Sequence, residues 1–251
     1  MRTLKMYAFF KILLKGFFYM YMILFLFLIL ILFCYIYRIN IKTLKQIRNF
    51  GKENKELDDI VKKYPSNIEI CKFMLKTLKN DNVKIEENKN YQNSFYIAIS
   101  NKIIIANIEK SYTRIQTIAH ECLHSIQDRR KLLFNYIYSN VYILIFIIIL
   151  ILGIAKMIPE DLKSTIICIY AIMGYVYYSV RSFLENDAMI KAKFLSKEYI
   201  DEVNISTDEE KKMIINQYEK LYGIGVPFTN FNLFFGTILK TLIIQIVFLI
   251  R

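Results

Sequence analysis

The sequence predicts a mainly α-helical integral membrane protein with three or four transmembrane helices and an α+β extramembrane part. Three observations lead there. Hydrophobic residues make up 55% of the 251 positions, and mean hydropathy is positive. Several apolar runs reach membrane-spanning length. Between the first run and the second lies a long polar stretch carrying both a strand-pair signal and an amphipathic helix. The formal charge of +12 raises nucleic acid as a partner. However, Lys and Arg are scattered through the polar stretches and crowd the ends of the apolar runs instead of forming one stripe. The expected partner is therefore the anionic surface of a lipid bilayer, not nucleic acid.

The first element is the apolar run Phe17 to Tyr37, preceded by Arg2, Lys5, Lys11 and Lys15. No small-residue cleavage pattern follows it, so residues 1–37 read as a retained anchor. Residues 38–135 form the largest continuous polar region and are expected outside the membrane. Within it, Ser66 followed by Glu69 is a capping box, opening a helix with Ile68, Ile70, Phe73, Met74 and Leu78 on its apolar face. Next, Phe95 to Ile99 and Ile103 to Ala106 flank Ser100-Asn101-Lys102, the pattern of a short β-hairpin whose open edge suits an extended peptide.

Residues 136–180 hold two apolar runs, about Val141 to Ile158 and Ser164 to Val180, joined by a polar link with Pro159, Glu160 and Asp161. This is a transmembrane hairpin that returns the chain to the side it left. A connecting segment, 181–230, leads to a last apolar run from Phe231 to Ile250, within residues 231–251. Lys240 and Gln245 lie inside that run, so it either spans with its Lys snorkelling or paired, or rests at the interface. Arg38, Lys42, Lys45, Arg48, Arg129, Arg130, Lys131, Arg181, Lys191 and Lys193 gather on one side. Arg2, Lys5, Lys11, Lys15, Lys156, Lys163 and Arg251 lie on the other. The first side is expected to face the cytoplasm.

From Ser111 to about Arg130, apolar Ile115, Ile118, Ala119, Cys122, Leu123 and Ile126 recur at steps of three and four, the stripe of one helix. His120 and His124 project from successive turns on another face, where both imidazoles reach one tetrahedral ion. Glu121 stands beside them as a base. The motif is HExxH. Random placement of the chain's two histidines would produce it on the order of one time in two thousand.

A catalytic zinc needs a third protein ligand and an open position. Cys34, Cys71, Cys122 and Cys168 show no ligand spacing and read as reduced and non-ligating. With no further histidine, the third ligand is a carboxylate. Glu185 is best placed, because the hairpin returns it to the side of the histidines, and Ala188 and Ala192 on its face permit close helix approach. Asp187 is the alternative ligand, or a group orienting a histidine. Gln127 and Asp128 read as solvated or structural. Zinc held there would activate water and polarise a scissile carbonyl, while Glu121 moves the proton to the leaving amine.

The run Ile118-Ala119-His120-Glu121-Cys122-Leu123-His124-Ser125-Ile126-Gln127-Asp128, a membrane hairpin and Glu185-Asn186-Asp187-Ala188 together resemble the neutral zinc metallopeptidases of bacterial membranes. That family combines a first anchor, an AHExGHxxQ-type helix, a hairpin and an E-x-D-A segment, and the likeness runs from about Ser66 to the C-terminus. It extends more loosely to membrane gluzincins such as the heat-shock protease and the prenyl-protein proteases. The resemblance implies a zincin-like extramembrane part, with one zinc per chain held by His120, His124 and Glu185. It further implies an endopeptidase acting on protein or peptide substrates, some of them membrane-associated, with Glu121 as base. Leu123 stands where the family carries Gly, and its bulk is expected to change packing beneath the site. The alternative is a catalytically silent zinc-binding membrane scaffold or regulator.

Overall fold

A computed structural model describes the backbone of residues 2–50 and 54–249, with side chains except those of 2–15, 18, 19, 49 and 50. The basic flank Arg2, Lys5, Lys11 and Lys15 and the terminal Arg251 lie outside the described side chains. In chain order the elements are α1 (Arg2–Ile36), α2 (Ile41–Phe50), α3 (Lys55–Val61), α4 (Asn67–Thr77), β1 (Lys84–Glu87), β2 (Phe95–Ile97), β3 (Lys102–Ile105), α5 (Arg114–Ile126), α6 (Arg129–Ile154), α7 (Glu160–Val203) and α8 (Asp208–Leu249). The chain divides into two compact units, one of residues 1–39, 138–179 and 230–251, the other of 40–137 and 180–229. The long helices α7 and α8 contribute to both.

The first unit is the membrane-type one. Among the described residues, α6, α7 and α8 are long and apolar enough to cross a membrane. A fourth span results if Met20–Ile36 and Ile41–Arg48 are taken together across the bend between them. The α6–α7 link is short because Lys156 takes a left-handed conformation, φ 57°, and Glu160 and Asp161 open α7 where acidic groups favour a helix N-terminus. Tyr142, Ile149, Ile167, Tyr170, Ile244 and Phe248 form the core between the three helices. Gly174 permits the close approach: a Cβ there would lie 2.3 Å from Thr237 Cγ2 and 2.8 Å from Tyr142 Oη. Lys240 turns its ammonium back onto the helices, donating to the Gly236 carbonyl at 3.3 Å and standing 5.8 Å from the centre of the Tyr142 ring. Gln245 is fully buried among the helices.

In the second unit, the capping box forms as expected. Ser66 Oγ accepts from the Glu69 N–H, and the Glu69 carboxylate accepts from the Ser66 N–H at 2.9 Å. The buried face of α4 is Ile70, Cys71, Met74 and Leu75, while the expected Ile68, Phe73 and Leu78 stay partly exposed. The face therefore turns toward Cys71 and Leu75, which pack on α5. The thiols of Cys71 and Cys122 meet at 3.6 Å within this core, and all four cysteines are free. Contact with Cys71, then burial, pushes the Cys122 thiol well above its ordinary pKa, so it is a packing group.

The expected hairpin is present but shorter, β2 pairing antiparallel with β3 across a turn in which Asn101 adopts φ 49°. A third strand was not foreseen. β1 pairs parallel with β3 in the order β1-β3-β2. Its sequence, Lys-Ile-Glu-Glu, carries one apolar residue, too few for an alternation signal. β3, with Ile103 and Ile105 fully buried, is the strand that faces the core.

The HExxH helix is also shorter than its periodicity suggests. α5 ends at Ile126, which is 44% exposed instead of extending the apolar stripe, because Gln127 turns to extended backbone, φ −67° and ψ 157°. Asp128 then starts α6, its carboxylate accepting the Arg130 N–H at 2.9 Å. At the opposite end, Arg114 is buried, and its guanidinium donates to the carbonyls of Val61, Tyr64 and Pro65 and to the Asn67 side chain. These bonds fix the start of the HExxH helix on the α3–α4 connection.

Candidate metal centre

α5 sets the first two groups by its own geometry. Ile115, Ile118, Ala119 and Cys122 are fully buried, which fixes the rotation of the helix and leaves His120 and His124 on one side. Their Nε2 atoms stand 3.0 Å apart. The third group arrives on α7, where Ala188 and Ala192, fully buried in the same core as Ile115, Ile118 and Cys122, bring the helix in closely. Glu185 lies one turn before Ala188, and its Oε2 is 3.3 Å from His120 Nε2 and 3.7 Å from His124 Nε2.

These three distances test whether a metal fits. Zinc bonds of about 2.0–2.2 Å at tetrahedral angles put ligand atoms roughly 3.3–3.6 Å apart. The observed edges, 3.0, 3.3 and 3.7 Å, bracket that span. Two imidazole nitrogens and one carboxylate oxygen also form a donor set suited to zinc and to other divalent transition ions. Among the described residues, His120, His124 and Glu185 are the group whose ligand atoms converge in this way.

The remaining atoms of these groups are held by neighbours. Gln127 Oε1 lies 2.8 Å from His124 Nδ1, so Nδ1 donates to it, and in the neutral imidazole Nε2 keeps its lone pair toward the other two groups. The Gln127 amide nitrogen donates to the Leu184 carbonyl at 2.8 Å and to Asp187 Oδ2 at 3.0 Å, tying the end of α5 to α7. Asp187 Oδ1 is 2.6 Å from Lys191 Nζ. Asp187 thus stands outside the converging trio, one hydrogen bond behind Gln127. Arg181, one turn before Glu185, binds the other carboxylate oxygen, Oε1, at 2.7 Å.

Charge follows this geometry. Burial works against ionised Glu185, but the two histidines facing it and the Arg181 charge outweigh it and hold the carboxyl well below its usual range. Burial likewise opposes a charged His124, yet the adjoining Glu185 carboxylate raises its pKa above the ordinary value. Glu121 is different. It is buried, and desolvation raises its pKa despite the nearby histidines and a hydrogen bond from the Tyr96 backbone. A carboxyl displaced toward neutrality is suited to both taking up and releasing a proton.

Sequence reasoning put Gln127 among solvated or structural residues. Its place three residues after His124 was the available signal for a role in orienting the imidazole. Arg181 drew notice only as a basic residue beside a span, although its spacing of four from Glu185 is that of a helical ion pair. Leu123, where the resembled family carries Gly, is 3% exposed and lies in the core with Ile118 and Cys122, so its bulk is taken up away from the ligand face. No protein-family model, curated protein sequence or solved structure matches the chain.

Proposed function

We propose that the chain is a membrane-embedded zinc-dependent endopeptidase that hydrolyses peptide bonds. The observation that carries this reading is the convergence of His120, His124 and Glu185 at edges of 3.0–3.7 Å, with the buried carboxyl of Glu121 next in sequence to His120. The α5 helix packed beside a three-stranded sheet supports a zincin-like reading of the unit. When bound, zinc supplies a Lewis acid that acidifies water and polarises a carbonyl.

The chain's own residues do the rest. Glu121, raised by burial, accepts a proton from the attacking water and hands it to the departing amine. Gln127 keeps His124 in the tautomer that directs Nε2 inward. Arg181 fixes Oε1 of Glu185, so that Oε2 faces the histidines. The side chains flanking the spans are rich in Lys and Arg, which supports a site on the cytoplasmic side and substrates that include membrane-associated proteins.

Metal content and peptide cleavage by the detergent-purified protein test the reading. Wild type is expected to hold about one zinc per chain. Glu185→Ala should lose it. Glu121→Gln should keep zinc while cleavage falls on the order of 100-fold or more. Equal cleavage by wild type and Glu121→Gln, both zinc-loaded, would sink the enzymatic reading and leave a zinc-binding scaffold.

A further inference from the structure

We propose that the cleft beside the metal trio is a side-chain pocket that selects an uncharged, apolar residue next to the cleaved bond, with Gly225 and Met189 setting its depth. This rests on the peptidase reading. The cleft, about 430 Å³, falls within the size range of binding clefts for small ligands, and His120 and Glu185 line it. Whatever occupies it therefore lies against the ligand residues. Its apolar walls come from α7 and α8, through Met189, Ala192, Leu221, Tyr222 and Gly225. The rest of the lining is Thr and Gln, so among the described residues His120 and Glu185 are its only ionisable groups besides the Tyr222 phenol.

That lining decides the substrate class. A Lys, Arg, Asp or Glu side chain entering the cleft would lose hydration without meeting a dedicated counter-ion, since Glu185 is already engaged by both histidines and Arg181. Of the α7 lysines flanking Ala192, Lys191 is paired with Asp187 at 2.6 Å and Lys193 with Glu219 at 3.1 Å. A Leu, Ile, Met or Phe side chain instead exchanges water for Met189 and Leu221.

Depth is set where α7 and α8 meet. A Cβ at Gly225 would lie 3.2 Å from Met189 Cε, so glycine keeps open a space that any side chain would begin to fill. Met189 is flexible enough to yield to one added methyl but not to a whole Leu side chain. Because Gly225 is helical, replacing it improves helix propensity, and a filled pocket is separable from a misfolded chain.

The test is digestion of a peptide library, varied at the positions flanking the cut, by zinc-loaded wild type, Glu121→Gln, Gly225→Leu and Met189→Ala, with products read by mass spectrometry. Wild type should favour Leu, Ile, Met or Phe over charged residues by at least about tenfold in kcat/KM. Gly225→Leu, still holding zinc, should lose about tenfold for these residues and turn toward Ala. Met189→Ala should move the preference toward Phe. Glu121-dependent cleavage with no apolar preference, or with a profile unchanged in both variants, overturns the pocket alone. Absence of Glu121-dependent cleavage overturns the peptidase reading and the pocket with it.

Discussion

The two helices that supply the candidate metal ligands place them by different means. On α5, His120 and His124 are brought together by the helical repeat alone, and burial of Ile115, Ile118, Ala119 and Cys122 only fixes which way the pair faces. On α7, no repeat aims Glu185 at anything. It reaches the histidines because Ala188 and Ala192 are small enough to disappear into the core below it, and because Arg181 restrains the carboxylate. One half of the site is a property of a pentapeptide and the other a property of packing. Perturbing the packing should therefore separate them.

Ala188→Leu gives the largest separation. The substitution forces a larger side chain into a fully buried position and is expected to destabilise the protein by about 1–3 kcal/mol. By pushing α7 away it should also weaken zinc binding at least about tenfold, although no ligand is changed. Chelator competition and thermal unfolding measure the two effects. Zinc affinity equal to wild type in a destabilised Ala188→Leu protein would show that Glu185 is positioned without help from the small residues.

Gln127→Ala sharpens the comparison from the α5 side. The amide orients His124 and bridges to Leu184 and Asp187, so its loss removes the tautomer restraint and one tie between the helices. Zinc affinity should fall about 10–100-fold, the usual effect of removing a partner of a metal-binding histidine, with little change in helical content. Asp187→Asn should have a smaller effect in the same direction, since it acts only through Gln127. An equal or larger effect for Asp187→Asn would place the carboxylate closer to the metal than this geometry does.

The same contrast explains what could be read from the sequence. The capping box at Ser66 and Glu69, the β2–β3 pair and HExxH are local patterns, and each appears where its spacing put it. Glu185 was reachable because two successive apolar runs of spanning length are expected to return the chain to the side it left. β1 was not, since its pairing is parallel and non-local and its sequence carries a single apolar residue. The end of α5 was missed for a related reason: Gln127 leaves the helix while its side chain binds α7, a contact no periodicity encodes.

The smallest expected effect concerns protons in the metal-free protein. His124 is raised because Glu185 outweighs burial, so its contribution to stability is full below the ordinary imidazole value of 6.5 and is lost as pH rises through its folded value. Glu185 is depressed because the two histidines and Arg181 outweigh burial. Its contribution is full above the ordinary carboxyl value of 4.5 and is lost as pH falls through its folded value. Glu121, raised by burial, acts in the same direction as His124 and draws the optimum toward the acidic end. Metal-free protein should therefore be most stable between about pH 4.5 and 6.5, the window those directions define. Zinc demands neutral imidazoles, so loading should move the optimum above that window. Thermal unfolding across pH, with chelator and with zinc, checks both halves. In Glu185→Gln, His124 loses the carboxylate that raises its pKa, and the mildly acidic optimum should flatten. Metal-free stability that climbs steadily to pH 8, in wild type and variant alike, would mean that the ligands do not interact before the metal arrives. The α7 half of the site would then be assembled by zinc and not by packing.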